Sequence, residues 1–329
     1  MTGAVEGEDG RPTVLYVGGM PRSGSTLLDL MLGQLPGHCD VGELFYLWQS
    51  GVERDLLCAC GRPFSGCPFW IEVGRVAFGG WDRQGAARFR ALQASVDATA
   101  RIPLILGARL LPRFRHRLDE YSQAMTALYE AVRDVSGASV VVDSTKRPSL
   151  ALILRRWSRV DLRVVHLVRD PRGVVYSWTK AVSLPAGAGP RAQMKTRSPW
   201  QISRRWVTVN LMIAALRRLG VPMATIRYED LVRAPAAELA KVAALTGDVT
   251  GVPGDFGFLT ADGLRLAPSH TVAGGRVRMR TGTMALHLDE EWREQLPGRI
   301  RVFVSVVTWP LRSRLGYGRG ARTSASSAS

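Results

Sequence analysis

The sequence has no run of about 18 apolar residues, the length needed to cross a bilayer, so no transmembrane segment is expected. It lacks a basic-then-apolar leader as well. Met1 to Gly10 is acidic and glycine-rich, which argues against a secretory signal and for a cytoplasmic location. Cysteine is scarce, four residues in 329, and that excludes a scaffold built on disulfides. Lysine stands only at positions 146, 180, 195 and 241, although Lys and Arg together number 44. No segment repeats, so solenoids and propellers are excluded. What is there is globular: 46% hydrophobic and 22% charged residues, with enough chain for one large α/β domain or two small ones. The formal charge of +16 suits a polyanionic partner, whether nucleotide, nucleic acid or membrane surface, without choosing among them.

The most informative stretch is 13–32. Val14, Leu15, Tyr16 and Val17 read as a buried strand; Gly18, Gly19 and Pro21 break it; Thr26 to Leu32 reads as a helix. Strand, tight glycine turn and helix N-terminus make an anion cradle, because unpaired backbone N–H groups and the positive end of the helix dipole meet there. Gly19 to Gly24 fits a Walker loop, but Ser25 stands where that loop has its lysine, and Arg22 is the only cation inside it.

Further along, the pattern of strands followed by helices predicts a parallel sheet with helices on both faces, a P-loop-type α/β fold in one domain spanning 12–318. Helices are expected at 84–100, 117–135, about 200–219 and 235–246, and strands at 139–143, 162–168 and 223–228. The tails 1–11 and 319–329 read as disordered, and 183–199, rich in Pro, Gly and basic residues, as a long mobile loop. Glu43 follows a turn glycine after the first helix and is a candidate base beside the anion loop. Asp143 closes an apolar strand as a Walker B acid would, and Lys146 follows at what would be the same sheet edge as Arg22. Arg169 leaves the next strand, with Ser177 eight residues later on a helix, so both can reach one phosphate. His166 sits within an apolar strand and reads as a hydrogen-bonded core residue.

An insertion at about 50–80 holds Cys58, Cys60 and Cys67. With Cys39 or His38 they could form a zinc knuckle or a redox pair; a reduced loop packed on Phe69 and Trp70 accounts for them equally. The spacing is not a standard zinc pattern, and no metal ligand is assigned.

Taken in order, these segments resemble a bacterial sulfotransferase that uses 3′-phosphoadenosine 5′-phosphosulfate (PAPS), over roughly 13–295. Pro21, Arg22, Ser23, Gly24, Ser25, Thr26 and Leu27 resemble the family's 5′-phosphosulfate loop. Arg169 and Ser177 match its 3′-phosphate motif in type and spacing. Tyr228, Glu229, Asp230 and Leu231 are similar to the segment whose tyrosine lies near adenine. Arg280, Thr281 and Gly282 resemble the late motif that covers the 3′-phosphate, with Arg278 a neighbouring candidate. Ser144 to Pro148 departs from the cytosolic branch, carrying Lys146 where that branch has a catalytic histidine, and a protonated lysine is a poor base at neutral pH. Other branches use a glutamate after the first helix, and Glu43 is similar in position.

The resemblance implies in-line sulfuryl transfer to a hydroxyl or amine, with PAPS as co-substrate and PAP as product. Arg22, Lys146 and the loop amides would stabilise the leaving phosphate and Glu43 would take the proton. No metal is required for that chemistry, and no nucleic-acid partner is expected. The acceptor, whether small molecule, lipid or glycan, would be read by variable segments at 44–80, 101–116 and 183–199. Two other readings stay open: a P-loop kinase or triphosphatase with a degenerate Walker loop, and a basic nucleic-acid-binding protein.

Overall fold

The computed structural model describes residues 10–180, 197–247 and 256–318. Most of the loop expected at 183–199, and the tails apart from residues 10 and 11, lie outside the described residues. Five parallel strands form the central sheet: β1 (Thr13–Gly19), β2 (His38–Gly42), β3 (Val140–Lys146), β4 (Asp161–Val168) and β5 (Met223–Arg227), in the order β2-β3-β1-β4-β5. The helices before β4 are α1 (Ser25–Leu32), α2 (Pro68–Phe78), α3 (Arg83–Val96), α4 (Ile102–Leu106), α5 (Pro112–Ser136) and α6 (Pro148–Trp157). Those after it are α7 (Pro171–Thr179), α8 (Pro199–Ala215), α9 (Tyr228–Arg233), α10 (Pro235–Thr246), α11 (Trp292–Gln295), α12 (Gly298–Val307) and α13 (Trp309–Arg314). A small antiparallel sheet, β6 (Leu259–Thr260), β7 (Gly263–Leu266) and β8 (Gly282–Met284), packs beside α1.

Alternation along β1 sets the layers. Val14 and Tyr16 belong to one core, with Leu118, Met125, Leu150, Trp206 and Ile213; Leu15 and Val17 belong to the other, with Leu28, Met31, Leu239 and Leu266. All four β1 residues are fully buried. A parallel sheet covered on both faces requires such near-continuous apolar strands. Burying one Val or Leu side chain contributes about 1.5–3 kcal/mol, so β1 anchors both layers.

β1 is central, pairing with β3 on one side and β4 on the other. The chain crosses from one side of β1 to the other between β3 and β4, and at such a switch point the crevice beyond the strand ends is the ligand site of open α/β sheets. Register levels the ends: Gly18 lies opposite Lys146 of β3 and His166 of β4. The loop after β1, Lys146 and Arg169 therefore emerge together.

The strand β2 is absent from the sequence reading, which assigns 38–44 no element and notes only the turn glycine before Glu43. His38, Cys39 and Asp40 have no apolar alternation, and pairing with β3 makes them extended. The segments 44–80 and 101–116 are built from short helical turns, α2, α4 and the start of α5 rather than from open loop.

Candidate active site

The anion loop closes on itself through backbone conformations that few residues adopt. Arg22 has φ +75° and Gly24 φ +87°. At Gly24 a Cβ would lie 2.4 Å from Cδ2 of Tyr228, so glycine is obligatory there. Gly24 caps α1 without a side-chain hydrogen bond, and the first intrahelical bond runs from Leu28 N–H to the Gly24 carbonyl. The N–H groups of Ser25, Thr26 and Leu27 therefore have no carbonyl within the helix and face the cradle. No acidic residue stands in that first turn. Ser23 is buried with its hydroxyl oxygen unpartnered, a polar atom an anion in the loop would satisfy.

Glu43 and Lys146 meet at one end of this loop. Lys146 Nζ lies 2.8 Å from Glu43 Oε1 and donates to the Ser144 carbonyl at 2.7 Å. A Cβ placed on Gly274 would be 3.9 Å from both Glu43 Oε1 and Thr26 Oγ1, so the carboxylate lies beside the start of α1. Lys146 holds φ +68°; with Arg22 and Asp55 it makes up the described non-glycine residues in the left-handed region. Two of those three are cations of this site, where backbone strain persists because surrounding contacts over-determine it.

Arg169 and Tyr228 meet at the other end. The Arg169 guanidinium stacks 4.5 Å over the Tyr228 ring. It donates to the Arg22 carbonyl at 3.1 Å and the Asp289 carbonyl at 2.9 Å, and pairs with Asp289 Oδ2 at 2.9 Å. The Tyr228 hydroxyl in turn donates to the His287 carbonyl and accepts from Asp289 N–H. Arg22 itself lies 5.8 Å over Trp178, and Trp178 Nε1 donates to the Pro21 carbonyl. Ser177 is half-buried on α7, one residue before that tryptophan.

The late motif divides. Arg278 is buried, with Nη1 donating to the Thr271 carbonyl at 2.9 Å and Nη2 to the Leu57 carbonyl at 2.8 Å. It joins the cysteine insertion to the 269–280 segment, whereas Arg280 is exposed. The Walker-B-like acid is also committed elsewhere: Asp143 is fully buried and accepts from Tyr129 Oη at 2.6 Å and Thr145 N–H at 2.8 Å. Burial pushes its carboxyl up to about 6. His166 is the core residue expected, 2.9 Å from Asn210 Oδ1, and burial lowers it to about 4, so it stays neutral at pH 7. Burial raises Asp29, on α1, well above the carboxylate range, and Asp40 of β2, packed against Gly33 at the end of that helix, to about 7.

Sequence reasoning missed Trp178 and Asp289. Both contact loop or nucleotide-site candidates, but neither lies in a patterned motif. A groove of about 900 Å³ lined by Arg172, Trp292, Arg301, Trp309 and Arg312 lies outside this constellation; it takes in none of the loop residues.

With this geometry in view, comparison defines the class. Residues 13–248 match the sulfotransferase family, well over half of the chain, and the protein belongs to that family. Similar solved structures include the sulfotransferase domain of the curacin biosynthetic pathway, at 18% identity and TM-score 0.49, covering 93% of this chain and 98% of that one. The sulfotransferase domain of the Synechococcus PCC 7002 olefin synthase has 20% identity and TM-score 0.48, covering 94% and 98%. Sulfotransferase STF9 from Mycobacterium avium has 11% identity and TM-score 0.47, covering 92% and 76%. These likenesses are loose, and the assignment rests on the family match and the sheet itself. No curated protein matches the chain. No described helix is long and apolar enough to cross a membrane.

Proposed function

We propose that this sulfotransferase takes its sulfuryl group from PAPS and transfers it to a hydroxyl or amine of an acceptor, releasing PAP. The observation that carries the reading is the two-ended loop. At one end stands a base–cation pair, Glu43 and Lys146, beside the free amides of α1; at the other, an arginine stacked on a tyrosine, Arg169 and Tyr228. A nucleotide with phosphate groups on both sides of its ribose needs both.

The chain's work is positioning and charge stabilisation. Arg22, the N–H groups of Ser25, Thr26 and Leu27, and the Ser23 and Thr26 hydroxyls hold the 5′-phosphosulfate. Lys146 shifts from Glu43 toward the bridging oxygen as that oxygen gains charge. Glu43, released from the ion pair, accepts the acceptor's hydroxyl proton while the new S–O bond forms and the old one breaks. Arg169 and Ser177 hold the 3′-phosphate with Arg280, and Tyr228 lies against the adenine. Arg278 acts on that site only through the segment it pins. The positive nest supplies the charge that Mg²⁺ supplies to a triphosphate, so the transfer itself calls for no divalent cation.

A triphosphatase needs a carboxylate free to hold Mg²⁺ beside the loop, and Asp143 has both oxygens engaged under Tyr129 and Thr145. That weighs against the kinase reading. The test is incubation of the protein with PAPS and a mixed library of alcohols, phenols, amines, lipids and glycans, followed by mass spectrometry. A sulfo adduct with stoichiometric PAP is expected; hydrolysis of ATP with no sulfo product from any class would overturn the reading.

A further inference from the structure

Cys58, Cys60, Cys67 and His270 come together from segments about 200 residues apart in the chain, and one ligand atom from each lies within 4.8 Å of all the others. The Cys67 sulfur is 3.7 Å from that of Cys58, 3.7 Å from that of Cys60 and 3.3 Å from His270 Nδ1; Cys58 is 3.7 Å from the same nitrogen. A tetrahedral zinc with Zn–S of about 2.3 Å and Zn–N of about 2.0–2.1 Å sets S···S near 3.8 Å and S···N at about 3.5 Å. All four cysteines are free thiols.

The surroundings are those of a ligand set. Backbone N–H groups of Cys60, Arg62 and Trp70 face the sulfurs of Cys58, Cys60 and Cys67 in turn, the outer contacts that orient sulfur toward a metal. A Leu57–Pro63 bridge and Gly61, at φ +86°, fold Cys58 and Cys60 into a tight knuckle. The His270 ring stacks on Phe69 at 4.7 Å, and its carbonyl accepts from Trp70 Nε1 at 2.8 Å, which fixes the imidazole with Nδ1 toward the sulfurs. His38 and Cys39, the fourth ligands considered from sequence, are not in the cluster: both lie in β2, and His38 Nδ1 is taken by the Pro36 carbonyl.

We propose that Cys58, Cys60, Cys67 and His270 bind one structural Zn²⁺ as a closed Cys₃His site. Four protein ligands leave no position for substrate, which makes the metal a clamp rather than a reagent. What it clamps is the segment crossing the anion loop. From His270 the chain continues through Val272, whose N–H donates to Val41, and Ala273, whose carbonyl accepts from Glu43 N–H; Gly275 N–H then reaches Thr26 Oγ1. Arg278 ties the same two segments a second time.

The test reads metal, not turnover, so it stands or falls apart from the donor assignment. Full-length protein purified under reducing conditions should carry one zinc per chain by plasma mass spectrometry. Co²⁺ exchanged into it should show visible d–d bands of a tetrahedral site and sulfur-to-metal charge transfer. His270→Ala and Cys60→Ser should lose the metal, and Cys39→Ser should keep it. Removing the metal with a chelator should speed amide exchange across 269–280. Folded wild-type protein that holds neither zinc nor cobalt, or that shows a disulfide among the three cysteines while reduced, overturns the site. Unchanged exchange after chelation overturns the clamp.

Discussion

Replacing Arg169 with alanine is the sharpest perturbation of the proposed nucleotide site. Its contacts to Arg22 and Asp289 engage three of the guanidinium's five N–H donors, which leaves two for an anion. One charge-assisted hydrogen bond contributes about 1.5–3 kcal/mol, so losing one to the 3′-phosphate should raise the Kd for PAP about 10- to 150-fold. The control ligand is 5′-AMP, which lacks that phosphate. Isothermal titration of both ligands against wild type and Arg169→Ala separates the local loss from a general one, with a thermal melt to show that the variant is folded. Arg169→Lys keeps the charge but gives up the fork and the ring stacking, and should fall between. Equal losses for PAP and AMP would refute the 3′-phosphate role, and would point to Arg169 as a brace for the anion loop through the Arg22 carbonyl.

Other outcomes follow from the same geometry. Glu43→Gln should lower kcat by about 10²–10⁴-fold with PAP affinity unchanged, since a positioned base acts in the transition state; a parallel loss of PAP affinity in calorimetry would remove the base role. Arg22→Ala should lower transfer by about 10²–10³-fold, the cost of removing one preorganised charge stabiliser, as read by PAP release. Asp40 offers a pH test. Burial raises it to about 7, so the folded state holds a proton that the unfolded chain has lost, and stability falls as pH rises from the ordinary carboxylate range through about 7. Asp40→Asn should therefore raise Tm more at pH 8 than at pH 5, and the shift of His166 cancels because both proteins carry it. An equal gain at both pH values would place the Asp40 titration outside that window.

Much of the sheet was legible because β1, β3 and β4 are apolar runs closed by polar or glycine breaks, and burial on both faces leaves little else for such runs to become. The anion loop was legible for a similar reason: Gly24 is forced by the approach of Tyr228, and helix α1 starts where the apolar period begins. Strand β2 was not, since His38-Cys39-Asp40 becomes extended only by pairing with β3. The small sheet β6–β8 escaped because strands of two to four residues carry no period. Arg278 shows the limit of motif reading: it stands near the right place in the chain but is drawn inward by the carbonyls of Leu57 and Thr271. His270 was beyond reach, because its distance along the chain from Cys67 hides a contact of 3.3 Å.

In the proposed donor site Arg22 and Arg169, far apart in sequence, hold the 5′ and 3′ groups of one nucleotide. Calorimetric titration of the wild-type protein with PAP, set beside ATP–Mg²⁺ under the same conditions, decides whether they do so. Saturable one-to-one binding of PAP, well tighter than that of ATP–Mg²⁺, is the predicted result; ATP–Mg²⁺ bound in preference, with no heat from PAP, would contradict it.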